Sequence, residues 1–421
     1  MDVDSPPSYC TPGSCSPVPI YSETPSRCEH VLQPVVSAPP TARCSYDLVY
    51  RSDSLEVNLG KSLWGLKYPA FGKGGTLEGT VQVRKCCKHV VGVTAVLRGI
   101  AKTSSIQHAR VAVPDIWTKV LLSRTVILFS SADSPIARLA EEFSLDIPFP
   151  ENADGSDESL PPSFTAYLPG TSCEITYHLQ LDIVRRGLRR HETLTIPLLY
   201  LPKSRPCSAP LRDIHPPLAP RTASDEHVRV VQIPVIWHPH CCIKARRSSV
   251  PQTASILLAL PSSTCFPSGD HVPLALTIRA PHLPAFANLL VQNLSLYLVK
   301  RKKLYVDNGR RISVREQSLS HAEVLLVGDS QEGHVKIKAQ VQTGEAGKEM
   351  SFRVDGAVAV EYCIRIVIRS PANVKGPPIL RHEEPLQVTT DRFGSLTTEL
   401  LMMGGIPTPA IGLSDLYRSL R

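Results

Sequence analysis

The chain offers few residues whose types and spacing could perform catalysis. It has no GxSxG nucleophile elbow, no GxxxxGK[ST] phosphate loop, no GxGxxG turn and no HExxH zinc motif. The tightest group of potential metal ligands is His238-Pro239-His240-Cys241-Cys242, in which three ligands would share one face of a strand. No fourth ligand lies at a recognisable spacing. We therefore expect a protein that is not an enzyme and carries no cofactor, and a metal-dependent enzyme on a β-sandwich is a third alternative.

One cluster of cations could bind an anion. Its members are Lys300, Arg301, Lys302, Lys303, Arg310 and Arg311. The first four follow directly on the strand-like run LSLYLV, and a hairpin turn at Asn308-Gly309 would gather all six at one edge. Such a group suits phosphate, acidic phospholipid or an acidic peptide. The alternative is a set of solvated charges that protects a sheet edge from aggregation. Nucleic acid is not expected as a partner, because no aromatic side chains interleave with the cations.

A recognition motif, Pro6-Pro7-Ser8-Tyr9, lies near the N-terminus. Residues 1–43 contain nine prolines, seven serines and few large aliphatic side chains, which is typical of a disordered arm. Two consecutive prolines favour a polyproline II helix, and a tyrosine two residues later can fill an aromatic-lined groove of a WW domain. The sequence therefore predicts that Pro6, Pro7, Ser8 and Tyr9 bind a WW domain. A second segment, Pro17–Tyr21, lacks the adjacent prolines and is interpreted as linker.

The elements that carry these residues are predicted to be strands. From Ile175 to Ile183 apolar and polar residues alternate, which indicates an antiparallel strand with one dry face. The same apolar pattern returns 185 residues later, from Val360 to Ile368. Two domains of one architecture explain this repeat economically. One short helix is expected over residues 134–143, where apolar residues recur at helical spacing after a serine and a proline.

Composition describes an ordinary soluble protein. The 421 residues suffice for two or three domains, 42% of them are apolar, and the net charge is a modest +8. No apolar run is long enough to span a membrane. The N-terminus MDVDSPPSYC is acidic and proline-bearing, whereas a secretory signal would be basic and then apolar. The 12 cysteines form no CxxC pair, so reduced thiols and a cytoplasmic location are expected.

Several of these segments resemble one protein family. FSLDIPFPEN, LPPSF, GTSCEITYHLQLDIVRRG and YLPKSRP look like the N-terminal domain of arrestin-like proteins of the α-arrestin branch. GDHVPLALTI, VQNLSLYLVKRKK, VEYCIRIVI and PLQVTT are similar, more loosely, to an arrestin C-terminal domain. The resemblance covers about residues 44–391 and implies two tandem immunoglobulin-like β-sandwiches. The predicted boundaries are an arm at 1–43, sandwiches at 44–207 and 228–391, a linker at 208–227 and a flexible tail at 392–421.

The resemblance also implies a function. In that family, PPxY motifs recruit WW-domain ubiquitin ligases of the HECT type to membrane transporters or receptors, which are then ubiquitinated and internalised. The expectation is thus a cytoplasmic trafficking adaptor that is recruited to the plasma membrane or endosomes. The chain departs from the family in having one motif at its N-terminus, where several in a long C-terminal tail are usual. An arrestin-fold scaffold for signalling or vesicle coats, independent of a ligase, is the alternative.

Overall fold

The computed structural model describes residues 46–84, 89–106, 114–131, 139–187, 191–218, 227–237, 252–281, 283–306, 309–330, 333–369, 379–403 and 407–414. Within these residues nearly all regular structure is β: there are 21 strands and two short α-helices. The all-β prediction is therefore confirmed. The strands form four sheets, two in the N-terminal half of the chain (residues 46–218) and two in the C-terminal half (residues 227–403).

The N-terminal half contains ten strands. They are β1 Asp47–Arg51, β2 Leu55–Lys61, β3 Ala70–Phe71, β4 Thr76–Val83, β5 Val90–Ile106, β6 Pro114–Ser130, β7 Glu142–Pro148, β8 Phe164–Leu168, β9 Thr171–Arg185 and β10 Glu192–Tyr200. One sheet has the order β1-β2-β4-β7. The other has the order β3-β10-β9-β5-β6, and β8 also pairs with β9. Apart from the parallel β3–β10 pair, neighbouring strands run antiparallel.

The C-terminal half contains eleven strands and the two helices. The strands are β11 Val228–Trp237, β12 Gln252–Pro261, β13 Cys265–Pro267, β14 His271–Arg279, β15 Leu294–Val306, β16 Arg311–His321, β17 Glu323–Ser330, β18 His334–Gln342, β19 Phe352–Val354, β20 Val358–Ile368 and β21 Leu380–Thr389. The helices are α1 Pro284–Gln292 and α2 Ser395–Met402. One sheet has the order β11-β12-β14-β18-β17, and the other β13-β21-β20-β15-β16 with β19 also paired to β20.

The alternating segment at Ile175–Ile183 lies in β9, at the centre of its sheet. Its apolar side chains are at most 1% exposed, and they pack into a hydrophobic core that extends through both halves. The polar residues between them lie on the other face. Period-two alternation thus correctly predicts a strand with one dry face.

The repeat at Val360–Ile368 occupies the same place in the second six-stranded sheet. Tyr177 in β9 lies opposite Leu198 on one side, and Tyr362 in β20 lies opposite Leu386 in the same way. Both sheets also share a parallel edge strand and a short strand that pairs with the end of the central one. The 185-residue repeat seen in the sequence therefore corresponds to one strand order built twice.

Two segments expected to be irregular are packed against the sheets. Of the linker at 208–227, residues 208–218 are described, and Ile214 is 3% exposed against Ala259 and Ala275. Of the tail at 392–421, residues 395–402 form α2, and the Ala410 N–H donates to the Leu201 carbonyl at 2.8 Å. Each segment covers an apolar surface that lies far away in the sequence, which is why composition alone does not predict its order.

The expected helix at 134–143 is wrong at its C-terminal end. Residues 139–141 are irregular, and β7 begins at Glu142, where it pairs with β4. Residues 132–138 lie outside the described part of the chain. Leu145 and Ile147 of β7 are buried in the core, so sheet pairing and burial override the local helical spacing.

Candidate functional site

Two of the sequence-predicted groups lie outside the described residues: the motif Pro6-Pro7-Ser8-Tyr9 and the potential ligands from His238 to Cys242. In the part of the chain that the structure does describe, no group of three or more His, Cys, Asp or Glu side chains could hold a metal ion. No helix among the same residues is both long and apolar enough to cross a bilayer. The cationic cluster is the predicted site that the structure locates.

The cluster lies inside a strand. The first four cations do not follow the strand LSLYLV, because β15 continues through them to Val306. β15 and β16 pair antiparallel with Val306 opposite Arg311, so the strand pairing of the predicted hairpin is confirmed. Asn308 of the predicted turn lies outside the described residues. Since side chains alternate along a strand, Lys300 and Lys302 lie on one face and Arg301 and Lys303 on the other. The structure therefore brings the cations onto one hairpin but divides them between two faces.

On the outer face each cation has a carboxylate partner. The Arg301 guanidinium lies 2.7 Å from Glu316 and 2.7 Å from Glu383, and Lys303 Nζ lies 2.7 Å from Glu361. Arg365 and Arg381 also contact both Glu316 and Glu383. Three guanidinium groups thus share two carboxylates, an arrangement that sequence reasoning missed because the partners come from β16, β20 and β21.

The charges of this network hold one another in the ionised form. Burial alone would raise the pKa of Glu383, but hydrogen bonds from Arg301 and Arg381 lower it to about 2. Burial alone would also raise the pKa of Glu316, but hydrogen bonds from Arg365 and Arg301 lower it. The bond to Glu383 raises the pKa of Arg301. A phosphate group that binds the guanidinium groups on this face would therefore have to displace the carboxylates of Glu316 and Glu383.

On the inner face the two lysines differ. Lys300 Nζ lies 2.5 Å from Glu349 Oε2, and the same oxygen accepts a 2.6 Å hydrogen bond from the Tyr362 hydroxyl. Lys302 has no carboxylate within 4.0 Å among the described residues, and its Nζ lies 5.9 Å from the ring centre of Phe164. Burial lowers the pKa of Lys302, and the charge of Lys300 lowers it further. Lys302 is therefore a structural cation over an aromatic ring.

The last two cations are the exposed ones. Arg310 and Arg311 lie at the turn end of the hairpin and are both solvent-exposed. Arg311 donates to the Ser105 hydroxyl of β5 at 3.3 Å, so this end of the hairpin touches the N-terminal half. Binding of phosphate or acidic lipid by the whole cluster stays a prediction, with Arg310 and Arg311 as the residues most open to solvent.

The two halves also meet through equivalent residues. Ser163 and Tyr200 exchange two hydrogen bonds, and Ser351 and Val388 exchange the same two. The next residue in each copy is a phenylalanine, and the rings of Phe164 and Phe352 meet edge-on with centres 5.1 Å apart. The sequence carries a signal for this contact, because each Ser-Phe pair precedes one copy of the repeated strand.

A groove of about 600 Å³ opens beside the cationic network. Its walls include Arg301, Phe352, Tyr362, Cys363, Glu383 and Leu386. Burial and the charge of Glu383 raise the pKa of Cys363, so its thiol is neutral at physiological pH. The groove therefore combines apolar walls with charged side chains at fixed positions, a combination that is suited to binding a ligand.

Comparison with known protein families and with curated proteins finds no match for this chain.

Proposed function

We propose that this protein is a non-enzymatic trafficking adaptor, built on two arrestin-like β-sandwiches, which links membrane-protein cargo to a WW-domain ubiquitin ligase. The observation that carries the proposal is the repeated strand order, together with the equivalent Ser-Phe pairs at the contact between the halves. A tandem of two like sandwiches is the architecture that the arrestin resemblance implies. The sandwiches would span residues 44–207 and 228–391.

The ligase arm of this function depends on Pro6, Pro7, Ser8 and Tyr9. A proline-rich ligand that already favours the polyproline II conformation loses little entropy when it docks. The partner is a HECT-type ligase with WW domains, and the cargo is a membrane transporter or receptor. The adaptor works in the cytoplasm and at the plasma membrane or endosomes, where Arg310 and Arg311 are open to acidic phospholipid.

The experiment is a binding assay of the full chain against an array of purified WW domains. Tyr9→Ala should abolish binding, because it removes the side chain that fills the aromatic-lined groove of the WW domain. Tyr21→Ala is the matched control: it removes a tyrosine from the same arm that lacks adjacent prolines, and it should bind like the wild type. Equal binding by wild type and Tyr9→Ala would exclude the ligase arm.

The same two variants separate the adaptor from the alternative scaffold in cells. For the adaptor, ubiquitination of cargo falls with Tyr9→Ala and not with Tyr21→Ala. If cargo turnover is unchanged in Tyr9→Ala but is lost when the sandwiches are deleted, the result would favour an arrestin-fold scaffold for signalling or vesicle coats.

A further inference from the structure

Strand β17 is a free edge with an apolar surface. It is the last strand of its sheet and pairs only with β18 among the described residues. Four consecutive side chains, those of Val324, Leu325, Leu326 and Val327, are between 48% and 59% exposed. A free edge also presents unpaired backbone N–H and C=O groups. β17 therefore combines the two features by which one strand recognises another, open hydrogen-bonding groups and apolar side chains.

This edge has little protection against pairing. Natural edge strands usually carry lysine, proline, inward-pointing charges or bulges that discourage association. The run from Val324 to Gly328 contains none of these residues, and its protective feature is one bulge, at Leu325, which has no partner in β18. Val324 lies opposite Ala339 and Val327 opposite Ile337, so both valines continue the buried face of β18 to the rim of the sheet.

Strand β16 shows what a protected edge looks like in the same chain. It is the edge of the neighbouring sheet and directly precedes β17, with Ala322 between them. Its exposed apolar residues Ile312 and Val314 alternate with polar ones, and the charged pair Arg315-Glu316 follows. The contrast suggests that exposure at β17 is specific to that strand.

The order of the apolar residues identifies the occupant. Val-Leu-Leu-Val reads the same in both directions, so it matches an antiparallel copy of itself about an axis between Leu325 and Leu326. Val324 of each copy then faces Val327 of the other, Leu325 faces Leu326, and Glu323 faces Gly328, so no like charges are opposed. Self-complementarity of this kind is what a two-fold dimer requires. We propose that two copies of this protein associate through β17 and join their five-stranded sheets into one.

The dimer is expected to be weak. Four half-exposed side chains bury much less than the roughly 800 Å² per partner of a standard stable interface. The backbone hydrogen bonds across the new strand pair add specificity more than affinity. Association should therefore be reversible and should depend on protein concentration.

Sedimentation velocity of the full chain between about 1 and 100 µM tests this interface. The wild type should shift from monomer to dimer over this range, since the interface belongs to the weak class. Leu326→Glu should stay monomeric, because two carboxylates would meet near the axis. Ile312→Glu is the matched control, an apolar residue of similar exposure (53% against 59% for Leu326) on the protected edge β16, and it should dimerise like the wild type.

Hydrogen exchange of the wild type at both concentrations tests the location without any substitution. Amides of residues 323–328 should become protected at high concentration, while those of β16 should not change. A chain that remains monomeric at about 100 µM would overturn the proposal, and the edge would then serve an extended segment of another protein. A dimer that survives Leu326→Glu, or protection confined to other strands, would overturn it equally.

Discussion

At the scale of single residues, the cationic cluster shows that a cation paired with a carboxylate is less available to bind an external anion. Six cations within twelve residues predict an anion site, and no sequence rule reveals that three of them are held by carboxylates. The partners Glu349, Glu361 and Glu383 are each more than 45 residues away along the chain. The sequence therefore predicts that these cations share one hairpin, but it does not predict which of their charges are paired with carboxylates.

The lowered pKa of Glu383 predicts a pH-dependent contribution to stability. A carboxyl group with a folded-state pKa of about 2 and an ordinary pKa of 4.5 stabilises the fold fully above pH 4.5, and this contribution is lost as the pH falls toward 2. Glu383→Gln should therefore lower the free energy of unfolding by roughly 1 kcal/mol at pH 7, a value reduced by solvent screening. At pH 3 the difference between variant and wild type should be smaller.

Urea unfolding of both proteins at pH 7 and pH 3 measures this difference. Glu361→Gln is the control, since it removes one more exposed ion pair, with Lys303, from the same face, and it should cost less than Glu383→Gln. A cost for Glu383→Gln that is equal at both pH values would show that its contribution does not come from ionisation.

At the scale of elements, strands were easier to predict than the segments that cover them. β9 is recognisable from its alternation, because a strand with one buried face alternates apolar and polar residues. β20 repeats the apolar half of this pattern, although Cys363, Arg365 and Val367 on its other face are buried as well. The tail gave no such signal. Leu413 packs on the cluster formed by Leu66, Leu199 and Leu201, and the Glu399 carboxylate binds Lys203, Arg205 and Thr408. Its order is tertiary in origin, with partners some 200 residues away.

Glu399 is predicted to hold the C-terminal segment in place. Glu399→Ala leaves the largely buried Lys203 and Arg205 without this carboxylate and releases the Thr408 backbone N–H, so the fold should lose roughly 2 kcal/mol. Hydrogen exchange at Ala410, whose N–H donates to Leu201, should accelerate more than exchange in β9. Glu345→Ala, which removes an exposed ion pair with Lys348, is the control and should leave both unchanged. Unaltered exchange at Ala410 in Glu399→Ala would refute this role.

At the scale of the whole molecule, the repeat predicts the architecture but not the differences between its copies. Gly99 and Lys300 occupy equivalent places, opposite Tyr177 and Tyr362. A Cβ at Gly99 would lie 2.6 Å from the Tyr177 ring, so the N-terminal copy requires a small residue where the C-terminal copy has a lysine. The two copies thus share a strand order and use it for different local packing.

The two proposals also act together at this scale. A single PPxY motif gains nothing from repetition, whereas a dimer through β17 carries two copies of Pro6-Pro7-Ser8-Tyr9. A ligase with several WW domains would then bind the second motif at a high effective concentration. Dimerisation would supply the avidity that one motif lacks.

The contact between Phe164 and Phe352 is predicted to couple the two halves energetically. The rings meet edge-on at 5.1 Å, a geometry that contributes about 0.5–1.5 kcal/mol beyond simple burial. A double-mutant cycle of Phe164→Leu and Phe352→Leu, measured by urea unfolding, should give a coupling free energy of about 1 kcal/mol in this range. The cycle also separates the ring–ring contact from the contact of Phe164 with Lys302, which both Phe164 variants lose equally.

Phe352→Leu combined with the remote Tyr46→Phe is the control and should be additive within about 0.5 kcal/mol. Additivity of the two phenylalanine substitutions would mean that the halves merely touch at these rings, and that their relative position is held by the Arg311–Ser105 and Lys119–Asp355 contacts instead.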